Sequence, residues 1–179
     1  MSENNTKKKI PKLDELISKD APSELKDIDK ITDKIYLGDD EGALKIENFE
    51  IEKIYNVLSI TDSPPNYPKE LKINHKTINL KVCLSVNIIP YLKECIDFIE
   101  NSDKIYVHCS CGVSRSPTIV IAYLMWKTHS GFIQVYNFVQ KRRPCIEPSI
   151  AFIKQLKKFE KALKNNNYNY QVIDYNCIN

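Results

Sequence analysis

Two side chains suited to attacking and holding an anion, Cys109 and Arg115, lie six residues apart in the stretch VHCSCGVSRS. A cysteine is a strong nucleophile only as the thiolate, so its surroundings decide whether it reacts. An arginine offers a planar fork that grips two oxygens at once, which a lysine cannot do. Three readings of the stretch compete: a reactive thiol facing an anionic substrate, a metal clip, and a turn rich in small residues. A metal clip needs about four ligands, and Cys109 and Cys111 have only His108 beside them. A buried structural thiol is the usual fate of a free cysteine, but the glycine and arginine next to Cys109 fit that fate poorly.

Those residues need a particular frame. KIYVHC (Lys104–Cys109) is a mostly apolar strand, as in a sheet covered on both faces. A helical segment begins at Ser116, so Val107–Pro117 spans a strand end, a short loop and a helix start. Such a junction aims backbone N–H groups at one point and adds the positive end of a helix. Gly112 lets the chain turn where a side chain would clash. A cysteine at the entrance of this nest is expected to have a lowered pKa.

Elsewhere, strand and helix signals alternate. Lys34–Gly38, Lys53–Ile60 and KTINLKV read as strands, with a short helical pattern in GALKIENF. IPYLKECIDFIE puts Ile89, Leu92, Ile96 and Ile99 on one helical face. Helices are expected over Ser116–Thr128, Phe132–Lys141 and Ser149–Leu163, the last capped by Ser149. The order points to an α/β fold with one main sheet. Residues 1–29 are expected to be a flexible arm, 30–164 the folded catalytic domain, and the Asn/Tyr-rich 165–179 an irregular tail.

The signature HCSCGVSRS resembles that of the cysteine-dependent protein tyrosine phosphatases. ITDKIYLG, IYNVLSI, CIDFIE, VHCSCGVSRSPTIVIAYLM and FVQKRRPCIEPSIAFIKQL follow, in order, the pattern of dual-specificity phosphatases from about Ile31 to Leu163. The resemblance implies a single central, mostly parallel sheet flanked by helices. It implies that Cys109 attacks phosphorus to form a cysteinyl-phosphate, with no metal or cofactor. Ser110, Cys111, Gly112, Val113, Ser114 and Arg115 would hold the phosphoryl oxygens, Ser116 would help the sulfur leave, and His108 would brace the loop.

One expected part is missing. The family donates a proton to the leaving oxygen from an aspartate ahead of the helix matched at CIDFIE, and that position is Val82. No Asp or Glu occurs between Glu70 and Glu94, so no shift of register restores the acid. Asp62, in ITDSPPNYP, is the nearest substitute, because that loop borders the pocket in relatives. The expected activity is therefore hydrolysis of phosphotyrosine, with phosphoserine and phosphothreonine more affected by the loss. A phosphoprotein-binding regulator with little turnover is the alternative.

Composition narrows the partners. A net charge of +3 over 179 residues is too little to argue for nucleic acid, so none is expected. It is compatible with phosphorylated substrates without selecting them; the resemblance implies a phosphorylated protein as the partner. No apolar run is long enough to span a membrane, and the polar N-terminus lacks a secretory pattern. Six cysteines without such a signal are expected to be reduced, in cytoplasm or nucleus. Cys111 or Cys83 could trap an oxidised Cys109 as a disulfide, whereas Cys95 and Cys145 suit buried positions. QKRRP (Gln140–Pro144) reads as a solvated helix end, and His75 and His129 as ordinary surface or strand histidines.

Overall fold

The computed structural model describes residues 9–17, 28–80 and 86–178. Its organising element is β5 (Ile105–His108), whose Ile105, Tyr106 and Val107 are all fully buried. A strand apolar on both faces belongs in the middle of a covered sheet. β5 lies there, between β2 (Ile35–Gly38) and β3 (Asn56–Ile60), in the order β1-β2-β5-β3-β4. All neighbours pair in parallel except β1 (Ile28–Lys30), which runs antiparallel on β2. This is the single, mostly parallel sheet the sequence pointed to.

Side-chain alternation splits the core into two layers. Ile35, Leu37, Leu58, Ile60, Ile105 and Val107 face α3 (Ile89–Glu100) and α4 (Arg115–Thr128), with α5 (Phe132–Gln140) and α6 (Ile150–Asn165) packed on α4. The other face carries Tyr36, Val57 and Tyr106 against Ala43 of α1 (Asp40–Ala43) and Phe49 of α2 (Ile46–Glu52). Ser59 and His108 share the parity of Val57 and Tyr106, so near the ends of their strands they project from this second face. Ser149 caps α6 as expected, accepting from the Phe152 N–H at 3.2 Å.

Three boundaries differ from the sequence reading. Ile28 and Asp29, placed in the arm, form the edge strand together with Lys30, and Leu13 in a 3₁₀ turn packs into the larger core layer. β4 spans Asn74–Ile78, earlier than KTINLKV, while Val82 and Cys83 lie outside the described residues. The stretch after α6 is irregular apart from a 3₁₀ turn at Tyr170–Val172, but it packs on the domain, with Tyr170, Ile173 and Tyr175 buried in the same core layer. Among the cysteines, Cys95 is buried as expected, but Cys145 is exposed.

Candidate active site

β5 delivers His108 to the end of the sheet, and the chain then curls through 109–114 into α4. The curl is held from outside by its carbonyls. The Ser110 carbonyl accepts from the Asp40 N–H (3.4 Å), that of Val113 from the Glu147 N–H (2.7 Å), and that of Gly112 from Arg143 Nε (2.9 Å). In a trans peptide the N–H points opposite its carbonyl, so the N–H groups of Cys111, Val113 and Ser114 turn inward. That arrangement is the anion nest the sequence implied. Gly112 has φ +63°, and a Cβ there would sit 2.4 Å from the Gly38 carbonyl oxygen, so only glycine fits.

Arg143 corrects the reading of QKRRP as a solvated helix end. It is buried, and its Nη1 pairs with Asp29 at 2.6 Å while Nη2 lies 3.7 Å from Asp39. Its partners come from β1 and from the residue before α1, so the edge strand helps brace the loop.

Cys109 is only 2% exposed, and its Sγ accepts from the Ser116 hydroxyl at 3.3 Å. Burial alone would raise the thiol pKa. The Ser116 hydroxyl and N–H, the Arg115 charge and the Gly112 N–H outweigh it and hold Cys109 below the ordinary thiol value. Arg115, also buried, donates through Nη1 to the Leu80 carbonyl (2.8 Å) and through Nη2 to Ser110 Oγ (3.0 Å). Its guanidinium thus sits over the first residue of the curl, where it can hold the oxygens of a phosphoryl group.

Behind the loop, His108 is fully buried and stacked on Tyr106 at 5.4 Å. Its Nδ1 lies 2.9 Å from Asp40 Oδ1 and its Nε2 2.6 Å from Ser59 Oγ. Both ring nitrogens are therefore engaged, which leaves none for a metal. Burial pulls the imidazole pKa down to about 4, against the opposing pull of Asp40, so the ring is neutral at pH 7.

The family model of the dual specificity phosphatase catalytic domain matches residues 35–162. The chain belongs to the dual-specificity phosphatases. It is 34% identical over 142 residues to the 123R protein of Invertebrate iridescent virus 6, named as a tyrosine phosphatase, covering 77% of this chain and 95% of that one. Against human dual specificity protein phosphatase 16 the identity is 33% over 142 residues, which is 76% of this chain but 21% of the human protein. Several other relatives are likewise several times longer than the matched part. Among solved structures, DUSP15 superposes with a TM-score of 0.73 at 31% identity, covering 79% of this chain and 92% of that one. The human tyrosine phosphatase-like serine/threonine/tyrosine-interacting protein does so at 0.71 and 26%, covering 75% and 95%.

In this dual-specificity phosphatase the side opposite the nest is sparser. The Thr61 hydroxyl lies 3.5 Å from that of Ser110 and also accepts from the Ser63 N–H. The loop holding the exposed Asp62 therefore abuts the first turn of the nest. Val82 falls outside the described residues, but both stems of its segment are tied: Leu80 to Arg115, and Val86 and Ile88 to the Gln155 side chain at 2.9 and 2.7 Å.

The structure brings Cys109, Ser110, Arg115 and Ser116 together as the sequence led us to expect, and leaves Cys111 exposed at the surface. Sequence reasoning missed Asp40, Ser59, Arg143 and Gln155. A signal for Ser59 was present: it is a polar residue near the end of an apolar strand, as His108 is in β5. Buried polar groups in such places have partners.

Proposed function

We propose that this dual-specificity phosphatase hydrolyses phosphotyrosine, and phosphoserine or phosphothreonine more slowly, through a cysteinyl-phosphate on Cys109. The observation that supports this most is the buried, low-pKa thiol, with Ser116 at 3.3 Å, at the mouth of an inward-facing set of N–H groups. The Cys109 sulfur forms a bond to phosphorus as the bond from phosphorus to the substrate oxygen breaks. The N–H groups from Ser110 to Arg115 and the Arg115 guanidinium hold the three remaining oxygens. Water then attacks phosphorus, and the departing thiolate regains the Ser116 hydrogen bond.

Val82 supplies no proton to the leaving oxygen, so aryl esters, whose leaving group is already stable, are the better substrates. Asp62 is the proposed substitute acid. The test is turnover of an aryl phosphate and a phosphothreonine peptide by wild type, Cys109→Ser and Asp62→Asn. We expect Cys109→Ser to lower the aryl rate by about 10⁴-fold or more, as loss of a nucleophile does. A wild type no faster than Cys109→Ser would end the enzyme reading. It would favour a phosphoprotein-binding regulator, the reading that Val82 also motivates, and tight binding of phosphopeptide without release of phosphate would then be the signature. An Asp62→Asn enzyme with the unchanged peptide rate would remove Asp62 from the chemistry.

A further inference from the structure

A line of side chains runs across three adjacent strands behind the nucleophile loop. Ser59 of β3 is in register with His108 of β5 on one side and with Thr77 of β4 on the other. His75 stands two residues before Thr77 and so projects from the same face. The Ser59 hydroxyl touches both imidazoles, His108 Nε2 at 2.6 Å and His75 Nε2 at 2.7 Å.

Counting protons along this line gives it a direction. A carboxylate oxygen only accepts, so His108 Nδ1 carries the hydrogen that reaches Asp40. In the neutral ring Nε2 must then accept, and the group in place to donate is the Ser59 hydroxyl. That hydroxyl has one hydrogen, so its other neighbour, His75 Nε2, has to donate to it. Thr77 Oγ1, at 3.5 Å from the same nitrogen, is the longer contact. If His75 Nε2 bore a lone pair instead, two acceptors would compete for one hydrogen, and His108 would lose its donor part of the time. The Tyr67 ring, nearly perpendicular with its centroid 5.0 Å from that of His75, packs against the imidazole and helps fix its plane.

We infer that His75 is a positioning residue for the nucleophile loop: by donating to Ser59 it commits the Ser59 hydrogen to His108 Nε2 and so anchors, from its second nitrogen, a ring whose Nδ1–H is already set by Asp40. The consequence for chemistry is indirect. His108 immediately precedes Cys109, and its ring is the buried post between Asp40 and β3 on which the loop's entrance rests. Only the kinetic arm of the test rests on the phosphatase reading above; the hydrogen bonding of His108 is observable without turnover.

The experiment uses imidazole ¹⁵N NMR at pH 7 on the full chain, whose three histidines make assignment tractable, together with kcat and KM on an aryl phosphate. His75→Gln keeps an N–H donor close to the Nε2 position, whereas His75→Leu removes it. Wild type and His75→Gln are expected to show His108 as the Nδ1–H tautomer with an Nε2 resonance at the position of a nitrogen that accepts a hydrogen bond. His75→Leu leaves the Ser59 hydroxyl unanchored, so the His108 Nε2 resonance should move or broaden toward that of an unbonded nitrogen, and kcat should fall about three- to tenfold, the worth of one hydrogen bond, with KM little changed. Ser59→Ala, which removes the donor itself, should give the full shift of Nε2 and so sets the scale for the smaller change in His75→Leu. An unchanged His108 Nε2 resonance in a folded His75→Leu, with Ser59→Ala shifted or not, overturns the inference. So does a His75→Gln protein that loses as much as His75→Leu, since that would mean packing rather than the donated hydrogen matters.

Discussion

On its outer side the 109–114 curl is tied to segments far apart in the chain: Asp40, Arg143, Glu147 and, through the Ser114 hydroxyl, the Ser149 N–H at 3.1 Å. On the side where a substrate oxygen would depart, the described neighbours are Thr61, Asp62 and the Leu80 carbonyl. The first side holds the curl through these four hydrogen bonds, three of them to backbone carbonyls and one to the Ser114 hydroxyl. The second offers one exposed carboxyl group and no buried one. On the proposed mechanism the contrast means that binding and attacking a phosphoryl group are encoded separately from protonating what leaves, so one can be altered while the other stays intact.

The strongest way to sharpen that contrast is to repair the sparse side. Val82→Asp should raise the rate on a phosphothreonine peptide by roughly 10²-fold, the lower end of what a general acid contributes, and that on an aryl phosphate by much less. A peptide rate that does not move would mean that the departing oxygen already has a donor. The next largest effect comes from loosening the rich side. Arg143→Met removes hydrogen bonds from a charged donor to Gly112 and Asp29, and should cost about 1.5–3 kcal/mol in chemical denaturation while lowering kcat. If kcat is unaffected, the outer bracing does not shape the nest. The smallest is Ser116→Ala. The wild-type thiol sits below its ordinary pKa partly because of this hydroxyl, so its removal must shift the midpoint of iodoacetamide alkylation to higher pH. A shift downward would contradict the geometry at Cys109.

The rich side was only half legible in the sequence, for a physical reason. Cys109, Gly112, Arg115 and Ser116 are close along the chain, and their spacing carries the information by itself. Arg143 is not local in this sense: its partners Gly112 and Asp29 lie 31 and 114 residues away, and a basic residue after a helix looks the same whether solvated or buried. His75 failed similarly, because a lone histidine in a polar strand has no pattern that reveals a neighbour on the adjacent strand. The long elements were readable from apolar period, with α3 at its expected limits and α4 to α6 within two residues of theirs. β1 was not, since three residues with one buried apolar side chain carry no period.

The stretch beyond α6 has a practical meaning. The family match stops at residue 162, yet Tyr170 packs its ring 4.6 Å from Trp126 of α4 and gives its hydroxyl to Asp97 of α3. Tyr175 donates to the Tyr170 carbonyl at 2.9 Å and lies 6.1 Å from the ring of Phe159. A recombinant fragment ended at residue 162 would retain the whole nest and uncover an aromatic seam joining three helices. Each apolar side chain of this size is worth roughly 1.5–3 kcal/mol when buried, so a trimmed protein would be prone to self-association through the seam. Anyone expressing this domain should set its end by where the side chains are covered, past Tyr175, and not by where similarity fades.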